Sequence, residues 1–417
     1  MKKLSVYIPT YNRKEYLKRQ LEFIFSDAEG HLSEIEVVVS DNASEDGTQE
    51  MAEALQEKYQ FAYYRNEKNL GITANAQLGA KYCTGDFFWL VGDDDYIEQG
   101  VIKKIFQIFA AYPDINFIFL NFASMYGKVV DYGYSYPMVP RELCTGYLEN
   151  ALPLVMENME VIGPQLIFST AHLMRREIWD KARKLIPFTT IECYGIDLIA
   201  PLAAIKMGKS YFDPEISTYC NCANCSWRKE AFYSFYGTQL SLLKLRDLGY
   251  SEAEILEINR ALLERNLALL DELRRELPDL DEEESLQVEH YLLQSAGHPL
   301  KSLSKREIRL LFPYLDFFKG KRVVIYGAGR IGSALYQTCG DNNIEVVAWC
   351  DRNYQQLQKQ GKAVESPEVI ANLKFDLVLD AVGDPSNLDD IFNLLSSLGV
   401  DKSRIKVTIP EYRMIIQ

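Results

Sequence analysis

The run Gly92-Asp93-Asp94-Asp95-Tyr96 crowds three carboxylates at the end of the apolar stretch Asp86-Phe87-Phe88-Trp89-Leu90-Val91. Like charges this close repel, and a hard cation or a shared proton relieves the repulsion. Strand alternation puts Asp93 and Asp95 on one side and Asp94 on the other. Two carboxylates on one side can hold Mg²⁺ or Mn²⁺ and leave coordination positions for diphosphate oxygens. The alternative is a solvated acidic turn.

Acids at the end of a buried strand need a sheet to hold them. Residues 1–227 alternate β-rich runs with helical patterns, as a mostly parallel α/β domain does. Strands are expected at Leu4–Ile8, Ile35–Ser40, Phe61–Arg65, Phe87–Val91 and Phe117–Phe122, with helical patterns at Arg13–Phe25 and Gly47–Lys58. The segment Ser40-Asp41-Asn42-Ala43-Ser44-Glu45-Asp46-Gly47-Thr48 ends a strand and opens a helix. Ligands of open α/β sheets bind at such strand ends, so Asp41 can accept hydrogen bonds from a base or ribose. Asp46 and Thr48 read better as helix caps.

These motifs resemble glycosyltransferase family 2 in order and spacing. Ile8-Pro9-Thr10-Tyr11-Asn12-Arg13, the Ser40–Thr48 turn, Asn69-Leu70-Gly71 with Asn75, and the acidic triplet carry the resemblance over residues 1–227. The Ser-Asp-Asn-Ala-Ser turn and the Gly-Asp-Asp-Asp ending look most like abequosyl- and rhamnosyltransferase-type members. The resemblance implies a GT-A nucleotide-sugar-binding domain and an inverting transfer. Pro9, Tyr11 and Arg13 would line the nucleoside pocket and Asp41 would contact the base. Asn69, Gly71 and Asn75 would approach the ribose and diphosphate, with Asp94 also on the donor side. Asp93 and Asp95 would hold Mn²⁺ or Mg²⁺. Many members carry an acid where this chain has Gly92.

The catalytic base is expected about a hundred residues on, in Glu192-Cys193-Tyr194-Gly195-Ile196-Asp197-Leu198. The family usually opens a helix there with Glu-Asp and has a glycine eleven residues after the Asp. Gly208 stands eleven residues after Asp197, while Ile196 replaces the Glu. Asp197 is the implied base and Glu192 the reserve; a helix cap is the alternative for Asp197. Gly163-Pro164-Gln165 resembles the family's acceptor-side loop.

Residues 228–318 turn rich in Leu, Glu and Arg. Ile255, Ile258, Leu262, Leu269, Leu273 and Leu277 fall on one helical stripe broken at Asn266, which fits either a homodimer interface or packing between the flanking domains. Residues 319–417 begin with the strand Arg322–Tyr326 and the turn Gly327-Ala328-Gly329-Arg330-Ile331-Gly332. Asp351, nineteen residues past Gly332, ends a second strand, where a Rossmann fold places a ribose-binding acid. Gly327, Gly329, Gly332 and Asp351 are the candidate nucleotide site of a C-terminal Rossmann-like domain. With no downstream catalytic pair, a non-redox module is expected rather than a nicotinamide-dependent oxidoreductase or epimerase.

Composition narrows the partners. A net charge of −14 argues against nucleic acid. Eight cysteines scattered through 417 residues fit a reduced, cytoplasmic protein better than a disulfide scaffold. Cys220, Cys222 and Cys225 lack a second pair for a zinc site and read as small buried groups. Arg175–Phe188 mixes basic residues with Ile178, Trp179, Leu185, Ile186 and Phe188, a pattern for peripheral contact with an anionic bilayer or for an ordinary surface helix. The expected partners are a UDP-, CDP-, GDP- or dTDP-linked sugar and a glycan acceptor, lipid-linked or on a glycoprotein. A catalytically inactive scaffold is the remaining rival.

Overall fold

The computed structural model describes all residues except 1, 126–136, 187–190, 222–230, 278–279, 299–305, 313, 383–386, 409 and 417. The chain divides into two compact units: residues 1–123, 137–263 and 273–300 form the first, and residues 124–136, 264–272 and 301–417 the second.

The first unit is built on an eight-stranded mixed sheet. Its strands are β1 (Leu4–Thr10), β2 (Ile35–Asp41), β3 (Ala62–Arg65), β4 (Phe87–Leu90), β6 (Phe117–Phe119), β8 (Gly146–Leu148), β9 (His172–Arg175) and β10 (Ser210–Phe212), in the order β3-β2-β1-β4-β9-β6-β10-β8. The first four are parallel, and β9 runs antiparallel between β4 and β6. Strand alternation is legible in the packing. Tyr7, Val38, Phe88 and Leu90 join the core on one face, while Leu4, Val6, Ile8, Val37, Val39, Phe87 and Trp89 join the core on the other. A sheet buried on both faces needs near-continuous apolar strands, which is why these runs were conspicuous.

Two details place the site. β1 pairs with β2 out to Thr10↔Asp41, whereas its pairing with β4 stops at Tyr7↔Leu90. Pro9 is therefore tolerated in a central strand, because it lies beyond the reach of β4. The strand ends of β1, β2 and β4 then open onto one edge of the sheet. Beyond it, β5 (Tyr96–Ile97) pairs antiparallel with β11 (Thr218–Asn221).

The segment Arg175–Phe188 fits the second of its two readings, that of an ordinary helix packed on the protein. It forms the helix Arg176–Leu185, and Ile178, Trp179 and Ile186 are buried in the core, with Trp179 4.7 Å from the Phe88 ring. These apolar side chains pack against the sheet; Phe188 lies outside the described residues. Among the described residues, no helix is long and apolar enough to cross a membrane.

Part of the helical middle belongs to this first unit. Leu242, Leu245, Tyr250, Ile255, Ile258 and Leu262 enter its core. The helix Glu252–Glu276 starts at a capping box between Ser251 and Glu254 and runs unbroken past Asn266, which is buried.

The second unit has a parallel sheet of β13 (Arg322–Tyr326), β14 (Glu345–Cys350), β15 (Leu377–Asp380) and β16 (Ile405–Val407), ordered β14-β13-β15-β16, and an antiparallel pair of β12 (Arg306–Leu311) with β17 (Glu411–Ile416). Gly327 has φ +106°, and a Cβ on Gly332 would collide with the Gly327 carbonyl oxygen and lie 2.7 Å from its carbon. The helix Arg330–Asp341 can approach β13 this closely only with Gly332. Gly332→Ala is expected to gain about 1 kcal/mol of helix propensity but to lose roughly 3 kcal/mol to overpacking. Hydrogen exchange across β13–β15 in the full chain should therefore accelerate.

Candidate functional site

Three loops converge at the open edge of the first sheet, and their backbones are tied together. Asn12 takes φ +52° and donates its N–H to Ser44 Oγ (2.8 Å), while its Oδ1 accepts from Glu45 N (2.8 Å). Asp46 Oδ2 accepts from Lys14 N (2.9 Å) and its Oδ1 from Thr48 N (3.2 Å), so one carboxylate serves the starts of two helices.

The acidic triplet follows β4 but is not part of it. The strand ends at Leu90, so the alternation expected for Asp93 and Asp95 does not apply. Instead Asp93 and Asp94 share a cation: Arg13 Nη1 donates to Asp93 Oδ1 at 2.9 Å and stands 3.1 Å from Asp94 Oδ2. Thr10 Oγ1 donates to Asp93 Oδ2 at 2.7 Å. Asp95 is turned elsewhere, with Oδ2 accepting from Thr170 Oγ1 and Oδ1 from Asn221 N at 3.3 Å. Thr170 Oγ1 also accepts from Gly92 N at 2.9 Å.

All three acids are nearly inaccessible, at 3%, 9% and 7% exposure for Asp93, Asp94 and Asp95. Burial, with the charge of Asp94 added, raises the pKa of Asp95 well above the carboxylate range. Burial raises Asp93 as well, although Arg13 opposes it. Burial also works against the Arg13 charge, but Asp93 and Asp94 outweigh it and raise its pKa. Removing one partner from such a buried charge cluster costs about 3–5 kcal/mol.

Gly92 has a specific role here. A Cβ at this position would collide with Asp95 Oδ2 and lie 3.0 Å from Asp95 Cγ. An acidic side chain at this position has no room while Asp95 is folded back.

The donor set suits a hard divalent cation. Asp93 and Asp94 supply carboxylate oxygens on either side of one resident cation, the guanidinium, and Mg²⁺ or Mn²⁺ needs only one or two carboxylates when phosphate oxygens complete its shell. The pair that shares the guanidinium is Asp93 with Asp94, while Asp95 is held by Thr170 and Asn221. Among the described residues, no three carboxylate, His or Cys groups converge in metal-binding geometry.

Asp41 is fully buried, with Oδ1 accepting from Ser44 N (2.9 Å) and Oδ2 from Tyr63 OH (2.6 Å). Arg65 Nε lies 3.5 Å from the same Oδ2. The residues named for the ribose and diphosphate form a chain of neutral groups. Asn75 Nδ2 donates to Ser40 O (3.0 Å), and its Oδ1 accepts from Ser40 Oγ (2.7 Å) and Asn66 Nδ2 (2.9 Å). Asn66 Nδ2 also donates to Asn42 Oδ1 (3.0 Å), and Asn42 Nδ2 to Asn69 Oδ1 (2.8 Å) and Gly71 O (3.2 Å). Asn69 and Asn75 hold the loop, and Gly71 takes φ +85° at the start of the helix Ile72–Gln77. Tyr11, at 42%, and Asn69 are exposed.

Asp197 sits in the first turn of the helix Ile196–Lys206. The preceding 3₁₀ turn, Ile191–Gly195, packs on the helix Ala231–Ser241 and abuts the helix Ile72–Gln77. A Cβ on Gly195 would strike the Ser241 side chain, so glycine sets the entry of this helix. Asp197 Oδ1 is buried and has no hydrogen-bond partner, and no side chain caps the helix. Burial raises its pKa to about 7. An acid held near neutrality, uncommitted to any cap, suits proton abstraction. Glu192 is half-buried in the preceding turn. Gly163, Pro164 and Gln165 are buried in a turn packed against the helix Ile196–Lys206.

Thr10, Thr170, Asn221, Asn66 and Tyr63 were not singled out from sequence. Thr10 lay inside a quoted motif, but Thr170 is 75 residues from Asp95 and carries no local signal.

In the second unit Asp351 braces the glycine turn: Oδ2 accepts from Ala328 N (2.8 Å) and Oδ1 from Asn353 N (2.7 Å). Space beside Gly329 is open. None of the described cysteines is in a disulfide, and Cys222 and Cys225 lie outside the described residues.

Residues 5–167 match Glycosyl transferase family 2, and residues 319–406 match C2185-like, N-terminal. The abequosyltransferase RfbV of Salmonella typhimurium is 44% identical over 98 residues, 23% of this chain and 29% of that protein. A GalNAc(5)-diNAcBac-PP-undecaprenol beta-1,3-glucosyltransferase of Campylobacter jejuni is 29% identical over 109 residues, 26% of this chain and 34% of its own length. The chain thus spans about a third of each of these curated relatives. The crystal structure of S. aureus TarS 1-349 superimposes with TM-score 0.52 at 18% identity, covering 70% of this chain and 81% of that one. Residues 5–167 are therefore a Glycosyl transferase family 2 domain, set in a first unit with a GT-A-like α/β fold.

Proposed function

We propose that this protein transfers a sugar from a nucleoside diphosphate to a hydroxyl of a growing surface glycan, with inversion at the anomeric carbon. The observation that carries the reading is Asp197, a carboxylate with a buried, unpartnered oxygen and a pKa near 7, delivered by a turn that abuts the helix Ile72–Gln77. Asp197 takes the proton of the acceptor hydroxyl as its oxygen bonds to the anomeric carbon; the bond from that carbon to the diphosphate breaks, and the nucleoside diphosphate leaves. Asp93 and Asp94 would hold Mn²⁺ or Mg²⁺, which supplies charge stabilisation to the leaving diphosphate. Tyr11, exposed beside the pinned loops, would meet the nucleoside. A solved neighbour, S. aureus TarS 1-349, has been crystallised with UDP, and the similarity to an abequosyltransferase points to surface polysaccharide chemistry.

Thermal stabilisation by UDP, GDP, CDP and dTDP, each with and without Mn²⁺, tests the reading. A ligand at a hundred times its Kd adds about 2.7 kcal/mol. One nucleoside diphosphate should raise the melting temperature in a Mn²⁺-dependent way. A response only to NAD or NADP, independent of metal, would defeat the proposal.

A further inference from the structure

We propose that Arg13 is the resident counter-cation of the Asp93–Asp94 pair, and that a divalent metal enters only when a diphosphate takes the guanidinium over. The inference rests on the metal-dependent reading above. Asp93 has both oxygens engaged, Oδ1 by Arg13 and Oδ2 by Thr10, and Arg13 reaches Asp94 with the same nitrogen. A metal arriving alone must displace the guanidinium from two buried carboxylates and strand it without that anion pair. A nucleoside diphosphate removes this obstacle. Guanidinium groups bind phosphate oxygens through their planar fork, so the side chain exchanges one anionic partner for another.

The loop is built for that exchange. Asn12 is bonded to Ser44 and Glu45, and Lys14 N to Asp46, on either side of Arg13. With the backbone fixed on both flanks, the two states differ by the swing of one side chain. Metal and diphosphate then bind with positive coupling, each raising the affinity for the other.

The test is Mn²⁺ binding to the full-length chain, followed by electron paramagnetic resonance of free Mn²⁺, with and without UDP, GDP, CDP or dTDP. Arg13→Gln should bind Mn²⁺ alone on the order of tenfold more tightly than the parent chain, with Arg13→Lys in between. In the nucleoside diphosphate that stabilises the protein, the advantage should vanish or reverse. Unchanged or weaker Mn²⁺ binding by Arg13→Gln in the absence of nucleotide overturns the inference while leaving metal dependence standing. If Arg13→Gln does not fold, Arg13→Lys binding Mn²⁺ no tighter than the parent does the same. Absence of Mn²⁺ binding to every form, with or without nucleotide, defeats the metal reading and this inference together.

Discussion

Asp197→Asn is expected to cut sugar transfer by about 10²–10⁴-fold while raising the melting temperature at neutral and alkaline pH. The two effects have one cause. An amide has the shape of the carboxylate but takes no proton, so general-base catalysis is lost. The same carboxylate is a burden on the fold, because burial raises its pKa to about 7. A folded-state pKa above the unfolded value of about 3.9 means that the native state holds its proton more tightly. Stability from this group is then full below about pH 4 and declines as pH rises toward 7, above which the penalty is constant. The variant should match the parent near pH 4, diverge upward through pH 7, and stay ahead beyond it. Activity of the parent, which needs the ionised form, should rise over the same interval. Melting curves and initial rates between pH 4 and 9 check both. A variant that lost activity and stability together would make Asp197 structural.

Gly92→Ala is expected to abolish most of the metal-dependent nucleotide response without unfolding the first unit. Its new methyl occupies the space of the Asp95 carboxylate, which is anchored to Thr170 and Asn221. One of them must move, at roughly 1–3 kcal/mol. The added methyl pushes the Asp95 carboxylate off Thr170 and Asn221 and so loosens the turn that carries Asp93 and Asp94. Melting curves with Mn²⁺ and the stabilising nucleoside diphosphate read the loss. A full response in Gly92→Ala would show that the folded-back Asp95 is dispensable.

What the sequence disclosed follows the range of the interactions involved. β1, β2 and β4 were readable because a sheet buried on both faces demands continuous apolar runs, and the first two merely extend to Thr10 and Asp41, further than expected. The acidic triplet was conspicuous, but its geometry was misjudged. Strand alternation governs residues only while the ladder continues, and this one stops at Leu90. The folding-back of Asp95 depends on Thr170, brought alongside by the antiparallel pairing of β4 with β9, where Trp89 faces Leu173. Nothing near Asp95 announces a strand 80 residues downstream. Similarly, nothing beside Asp197 announces that its Oδ1 is shut off from water, because the turn before it packs on the helix Ala231–Ser241, further along the chain. Trp179 and Ile186 show a different limit: an apolar face with basic flanks reads alike whether it meets a bilayer or a sheet, which is why both readings stayed open until the core was seen.

The chain of groups running through Ser40, Asn75, Asn66, Asn42 and Asn69 contains no ionisable side chain. Amides and hydroxyls keep the same donors and acceptors from pH 4 to pH 10, and uncharged links are little affected by added salt. The frame around the Asn69–Gly71 turn is thus chemically inert toward the two variables an enzymologist changes most often. A bend in a rate profile against pH or ionic strength therefore reports on charged groups such as Asp197, and not on the frame itself.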